Sequence, residues 1–260
     1  MFLDDAMKAG RRAAAERESL FPTRMLERKL SGDGALPPSF RGAIAKGEGP
    51  VNIIAEVKRV SPAGGEISPG AEVGRTAAVY ESAGAAAVSV LTSKFGFLGH
   101  VSDLDEARSG CALPLLCKDF ISSRYQVLEA RAHGASAVLL IAEALEPADA
   151  EDLLACAESF GMDVLFEAHT PSGLARALEA GSGIVGINNR DLATLQVDLG
   201  TTERLYRLVP DGAVVVSESG IRTVEDAERM ASVGVDALLV GEALMKAPEP
   251  GKRLRELTGR

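Results

Sequence analysis

One feature narrows the fold more than any other: a regular beat of short apolar runs. After residue 50 of this 260-residue chain there are eight of them, each bounded by glycine, proline or polar residues. They cover 51–58, 86–91, 114–118, 136–141, 163–167, 183–188, 213–218 and 236–240, and their starts fall 35, 28, 22, 27, 20, 30 and 23 residues apart. Runs this short and this rich in Val, Ile and Leu read as strands buried on both faces. Each gap is long enough for one helix, and the gaps carry helix signals. Val73, Ala77 and Tyr80 share one helical face ahead of Gly84. Thr170 precedes Pro171, an N-cap before a first-turn proline, and Thr223 with Asp226 has the spacing of a capping box. Gly134, Gly161, Gly181 and Gly234 each stand just before the next strand, where a helix is expected to stop.

Strand and helix in alternation imply a parallel sheet with right-handed crossovers, and eight such units close a barrel. The expected fold is therefore α/β, a (β/α)8 TIM barrel. An open doubly wound sheet is the structural rival. It usually has a Gly-rich first turn, and Arg59-Val-Ser-Pro-Ala-Gly-Gly65 does not fit G-x-G-x-x-G. No linker interrupts the pattern, so residues 1–260 are expected to form one domain. Residues 51–260 would be the barrel and residues 1–50 an N-terminal helical extension. Leu20, Phe21, Met25 and Leu26, near Pro37-Pro38, are the apolar residues expected to pack that extension on the barrel.

Composition limits the partners. With 46% apolar and 25% charged residues the chain has the balance of a soluble protein with one sizeable core. A net charge of -9 repels nucleic acid and anionic lipid, so neither is expected as a partner, and an anionic small molecule must find positive charge locally. Cys111, Cys117 and Cys156 are odd in number and lack metal-ligand spacing, which fits a reducing cytoplasm. The first residues alternate charge with alanine and lack the apolar stretch of a signal peptide, and no segment is long enough to cross a bilayer.

In barrels of this type the reacting groups stand at the C-terminal ends of the strands. Those ends are polar here. Strand one ends Glu56-Val57-Lys58, strand three Cys117-Lys118-Asp119 and strand five Phe166-Glu167, while strand six ends Asn188-Asn189-Arg190 and strand seven Ser217-Glu218-Ser219. Taken singly, a lysine after a buried strand snorkels to water and a glutamate pairs with a neighbouring cation. Five ends of one rim together are harder to dismiss. Glu56 and Lys58 are two apart and share a strand face, and a buried Glu56 needs a cation such as Lys58, Lys118 or Arg190. Ser219-Gly220 after strand seven and Gly241-Glu242 after strand eight fall where this fold commonly cradles phosphate, although glycines there also simply turn the chain. His133 and His169 read as structural or solvated, and His100 as a residue that could approach the rim. With no H-x-x-x-H, Asp cluster or Cys pair, a metal-free reaction is expected.

From about Phe40 to Met245 these motifs resemble the indole-3-glycerol phosphate synthase family. Ile54-Ala-Glu-Val-Lys-Arg-Val-Ser-Pro62 is similar to the family's first strand and loop, Leu116-Cys-Lys-Asp-Phe120 to its third strand and Phe166-Glu-Ala-His-Thr170 to its fifth. Gly186-Ile-Asn-Asn-Arg-Asp-Leu192, Ser217-Glu-Ser-Gly-Ile221 and Val240-Gly-Glu-Ala-Leu-Met245 are similar to the sixth, seventh and eighth. Six matches in the same order carry the resemblance. It implies a carboxy-lyase that closes the pyrrole ring of 1-(2-carboxyphenylamino)-1-deoxyribulose 5-phosphate with loss of carbon dioxide and water, for tryptophan or another indole-derived product.

The resemblance also implies roles. Lys118 would protonate the ribulose carbonyl oxygen as the aromatic carbon attacks, and Glu167 would handle protons in the dehydration. Lys58 would bind the anthranilate carboxylate or share the acid role, held by Glu56, with Glu218 joining the catalytic set. Asn188 and Arg190 would orient substrate hydroxyls and neighbouring carboxylates, and Ser61, Ser219, Gly220, Gly241 and Glu242 would surround the phosphate. Phe97 and Phe120 complete the substrate-binding set. Neither an organic cofactor nor a metal is required, and the protein would be a monomer or weak homodimer. A lysine among other cations and apolar walls is expected to have a lowered ammonium pKa, which would suit an acid working near neutrality.

Two loops depart from the family pattern. After strand two, Leu91-Thr-Ser-Lys-Phe-Gly-Phe-Leu-Gly-His100 keeps Phe97 and Gly99 but has Leu98 where an amide is usual and His100 where serine is usual. After strand one, Ser61-Pro-Ala-Gly-Gly65 replaces Ser-Pro-Ser. Three readings follow: drift in an enzyme with the usual substrate, a paralogue for a substituted anthranilate with Leu98 reshaping the aryl pocket, or a phosphate-binding barrel that serves as a scaffold. Lys58, Lys118 and Glu167 argue against the scaffold. A related phosphosugar barrel, such as phosphoribosylanthranilate isomerase, would share the phosphate loops but gives no reason for the two lysines.

Overall fold

Eight parallel strands close on themselves in the computed structural model, which describes residues 2–32, 36–47, 49–62, 65–192 and 194–259. The barrel strands are β1 (Asn52–Val57), β2 (Ala87–Leu91), β3 (Leu115–Lys118), β4 (Ala137–Ile141), β5 (Asp163–Ala168), β6 (Ile184–Asn188), β7 (Val214–Glu218) and β8 (Ala237–Val240). Each lies within a residue or so of its apolar run. β1 closes the ring by pairing with both β2 and β8, so that Ala55 faces Val88 on one side and Val240 on the other. The chain has the expected (β/α)8 barrel.

Outside the strands lies a ring of helices: α4 (Val73–Ser82), α5 (Asp103–Gly110), α6 (Arg124–Ala132), α7 (Pro147–Ser159), α8 (Pro171–Glu179), α9 (Gly200–Tyr206), α10 (Val224–Val233), α11 (Glu242–Met245) and α12 (Pro250–Thr258). Val73, Ala77 and Tyr80 form the buried stripe of α4. The Thr170 hydroxyl caps α8 through the Gly173 amide, and Thr223 with Asp226 forms a reciprocal capping box on α10. Gly134, Gly161, Gly181 and Gly234 all adopt positive φ, between 71° and 108°. A side chain there would strain the backbone, so the chain turns out of each helix at the one residue that tolerates it.

Residues before the barrel form three helices, α1 (Phe2–Leu20), α2 (Thr23–Gly32) and α3 (Phe40–Ile44). Their anchors differ in part from those expected. Leu26 is buried, but Leu20 is 85% exposed, and Phe21 and Met25 are also exposed. The apolar anchors are Ala6, Met7 and Ala14 of α1 with Phe40 and Ile44 of α3. The end of α1 is held by charge, because Arg17 forks onto Glu129 of α6 at 2.7 and 2.8 Å, and this leaves the α1–α2 turn at the outer edge. α3 closes the barrel floor. The Arg41 amide donates to Asp163 at the start of β5, and the Lys46 amide donates to Asp236 just before β8. Among the described residues no helix is long and apolar enough to cross a membrane.

Candidate active site

At the C-terminal mouth, four charged side chains meet, one from each odd-numbered strand: Glu56, Lys118, Glu167 and Glu218. Alternate strands of an eight-stranded barrel contribute to the same interior layer, so this convergence follows from the closure of the sheet. The Lys118 Nζ lies 2.9 Å from Glu167 Oε2 and 2.9 Å from Glu218 Oε2. Lys58, just past the end of β1, pairs with Glu56 at 2.6 Å. On β6, the Asn188 amide donates to Glu167 Oε1 at 3.1 Å.

The neighbourhood sets the charge states. Burial alone would favour neutral Lys118, but Glu167, Glu218 and then Glu56 outweigh it, and its pKa is raised. This corrects the expected lowering. The other cations do not crowd Lys118, since Lys58 is spent on Glu56 and Arg190 donates to the Leu195 carbonyl at 3.0 Å. Burial likewise pushes the Glu218 carboxyl up. Lys118 opposes this only in part and Glu167 adds repulsion, leaving Glu218 at about 7. For Glu167 burial is overcome by Lys118 and His169, which hold it well below the ordinary carboxylate range. One carboxyl of the pair is therefore poised to carry a proton near neutrality while the other stays ionised.

A cleft of about 1100 Å³, counted out to its open mouth, extends above this layer. Glu56, Lys58, Lys118, Glu167, Asn188, Arg190 and Glu218 all line it. Ser61, Phe97, Phe120, Ser219, Gly220, Gly241 and Glu242 line it too, so the residues given catalytic or substrate-binding roles from the sequence are found at one cavity. Ser219 and Gly220 both have positive φ, 64° and 90°, which turns this loop sharply after β7. Gly241 has a different reason to be glycine. A Cβ there would lie 2.2 Å from Glu56 Oε1 and 3.0 Å from Lys58 Nζ, so the bare backbone is what lets the ion pair lie against the last loop.

Some expectations fail here. Leu98 is 58% exposed, with φ 56°, and does not line the cleft, so it does not reshape an aryl pocket. His100 is turned outward as well, bonded to Ser102 at 2.8 Å. The loop after β2 is instead oriented by Arg59, which forks onto Asp103 at 2.6 and 3.1 Å, and Asp103 also accepts from the His100 amide. The departure from Ser-Pro-Ser at Ala63 and Gly64 lies outside the described residues. Among the described residues no group of His, Cys, Asp and Glu is arranged to hold a metal ion.

A family profile described as indole-3-glycerol phosphate synthase matches residues 5–257. The chain belongs to the indole-3-glycerol phosphate synthase family. A synthase of that name from Syntrophobacter fumaroxidans is 41% identical over 99% of this chain and 97% of its own length. One from Dehalococcoides mccartyi is 48% identical over 80% of this chain and 81% of its own. Solved structures of lower identity share the fold. These include an N-acetylmannosamine-6-phosphate 2-epimerase from Clostridium perfringens (18% identity, TM-score 0.59, 80% of this chain and 92% of that one). A thiamine phosphate pyrophosphorylase from Pyrococcus furiosus is likewise 18% identical, with TM-score 0.60, over 80% of this chain and 93% of its own.

Within this family member, sequence reasoning passed over three residues. Phe2, on α1, lines the cleft and stacks near Phe95 and Phe120 at 5.7 and 6.1 Å, and nothing local in the sequence marks it. His169 reads from the sequence as structural or solvated, yet it follows Glu167 by two, the same spacing that puts Glu56 and Lys58 on one face. Asn189 is the third. Its amide nitrogen reaches Ser217 Oγ, Glu218 O and Ser219 O at 2.9–3.1 Å, and its Oδ1 accepts from the Thr202 amide and hydroxyl. This fully buried amide ties β6, α9 and the loop after β7 together. Asn189→Ala is expected to destabilise the fold by about 2–4 kcal/mol, because several buried partners are left unsatisfied at once. Chemical denaturation would measure it, and a loss below about 1 kcal/mol would show that water or relaxation replaces the amide.

Proposed function

We infer that this chain closes the pyrrole ring of 1-(2-carboxyphenylamino)-1-deoxyribulose 5-phosphate, releasing carbon dioxide and water and leaving indole-3-glycerol phosphate. The observation that carries the inference is the Lys118 ammonium held 2.9 Å from two carboxylates of opposite charge preference, at the mouth of a family barrel. As the carboxylate-bearing aryl carbon attacks the ribulose carbonyl, negative charge grows on the carbonyl oxygen. An alkoxide is a far stronger base than any lysine amine, so Lys118 can protonate it despite a raised pKa. Carbon dioxide then leaves from the attacking aryl carbon, and the electron pair of the broken bond restores the aromatic ring. In the last step the new hydroxyl takes a proton from Lys118 and departs as water, while ionised Glu167 accepts a proton from the neighbouring CH2 of the new ring. Glu218, near neutrality in its titration, can return a proton to Lys118.

Binding sets the geometry. Ser61, the Ser219-Gly220 turn and Gly241-Glu242 would hold the phosphate, while Phe97 and Phe120 face the aryl ring. Lys58 lies between Glu56 and Gly241, a position that favours anion binding over the acid role. Asn188 and Arg190 would orient the substrate hydroxyls. Fixing both ends of the substrate presents one carbon to one carbonyl and lowers the entropic part of the barrier. The three cysteines are buried and free, which suits a reducing cytoplasm, and we take the protein to be a monomer or weak homodimer without nucleic-acid or membrane partners.

Incubation with the unsubstituted substrate and mass spectrometry of the product tests this. The expected product lacks the carbon dioxide and water of the substrate. Turnover confined to ring-substituted analogues would point to the paralogue. No ring closure with any of them, alongside tight binding of a phosphate ligand, would leave a scaffold.

A further inference from the structure

We propose that His169 is a positioning residue of this reaction: it holds the Glu167 carboxylate in place and, with Glu143 behind it, decides which of the two carboxyls beside Lys118 carries a proton. The proposal rests on the ring-closure reading above. His169 stands two residues after Glu167 at the end of β5, on the same face, and its side chain is 8% exposed. Its Nε2 lies 3.2 Å from Glu167 Oε1, close enough for an ion pair although off the line of a good hydrogen bond. Its Nδ1 lies 3.2 Å from Glu143 Oε2.

Glu143 belongs to the short 3-10 turn after β4 (Ala142–Ala144) and is itself fixed. Its Oε1 accepts from the backbone amides of His169 and Thr170 at 2.9 and 3.1 Å and from the Thr170 hydroxyl at 3.0 Å, at the N-terminus of α8. Gly173 leaves the room, since a Cβ there would lie 2.0 Å from that oxygen. The ring is thus gripped between two carboxylates from adjacent strands.

Charge counting explains why this matters. Glu167 faces Lys118 from β3, Glu218 from β7, Asn188 from β6 and His169 from its own strand end, and His169 faces Glu143 in turn. Three carboxyls and two potential cations form the cluster. With His169 charged, one proton on the carboxyls makes it neutral, and two cations against Glu167 send that proton to Glu218. With His169 neutral, Glu167 loses one of its two cations and competes for the proton. Burial favours the neutral ring, but Glu143 and Glu167 outweigh it and raise the imidazole to about 10. An ionised Glu167 is what the dehydration step needs from a proton acceptor.

The test combines titration and kinetics on the intact protein. NMR of ring-labelled histidine should find His169 doubly protonated throughout the neutral range, deprotonating only near pH 10. In Glu143→Gln, which keeps an acceptor for the two amides and removes the charge, that titration should fall toward neutrality. His169→Asn should lower kcat about tenfold to a hundredfold with KM within about threefold, and Glu143→Gln less, both in the same direction. Losing the cation raises the Glu167 pKa, so the acid limb of the kcat profile should move up by about one pH unit or more in His169→Asn, whereas in Glu143→Gln the ring is still protonated on the acid side and the limb should stay in place. A residue that only packs would lower the melting temperature and leave that limb in place in both variants. A neutral His169 ring at pH 7 in the wild type overturns the proposal, as does an unmoved acid limb in His169→Asn. Should the wild type fail to close the ring at all, the functional reading falls, and the titration of His169 with and without Glu143 still decides the ion-pair arrangement.

Discussion

Lys118→Met is expected to lower kcat by at least about a hundredfold and as much as about ten-thousandfold, the range for removing a positioned acid. Binding of an unreactive substrate analogue should change little by comparison, because phosphate and aryl ring are held by other loops. Methionine keeps most of the side-chain volume and so separates loss of the proton from loss of packing. The ammonium is also the shared counterion of Glu167 and Glu218, both at 2.9 Å. Without it, both carboxyls titrate higher in the folded protein than in the unfolded chain. Groups raised in this way stabilise the fold at low pH and lose that contribution as pH rises through their folded pKa values. The melting temperature of the variant should therefore fall further below wild type at pH 8 than at pH 5. A kcat loss of only a few fold would move the acid role to Lys58.

The barrel was legible because it is written in a local pattern. An apolar run, a cap and a helix-ending glycine are each decided within a few residues, and Gly134, Gly161, Gly181 and Gly234 mark the helix exits in sequence and structure alike. The rim residues were legible for a related reason: once eight strands close, their C-terminal ends meet whatever the loops do. What the chain alone did not disclose were pairings between distant segments. Which carboxylates neighbour Lys118 depends on the stagger of β3, β5 and β7, and it is these carboxylates, rather than the cations visible in the sequence, that set the sign of its pKa shift. Leu98 and His100 were tied to substrate through their place in a loop, whereas the Arg59–Asp103 pair turns them outward. Phe2 reaches the cleft only because α1 packs through Ala6, Met7 and Ala14, contacts that span most of the fold.

Glu167→Gln is expected to separate the first half of the reaction from the second. The amide is nearly the same size and can still hold Asn188, so substrate should bind and the carbon–carbon bond should form. Lys118 retains Glu218 as a counterion, and proton donation to the carbonyl oxygen survives in weakened form. Dehydration is different, because it needs a group that takes up a proton, and a neutral amide cannot. The overall rate should fall by about a hundredfold or more. In a single turnover, carbon dioxide should then be released faster than indole absorbance grows, with the decarboxylated hydroxyl compound accumulating between them. Wild-type protein, if dehydration is not slow, should show the two signals rising together. A variant in which both signals slow equally would place Glu167 before decarboxylation, at the step assigned here to Lys118. One in which neither slows would move the proton acceptor to Glu218, whose titration near neutrality already makes it the other group able to exchange a proton at this mouth.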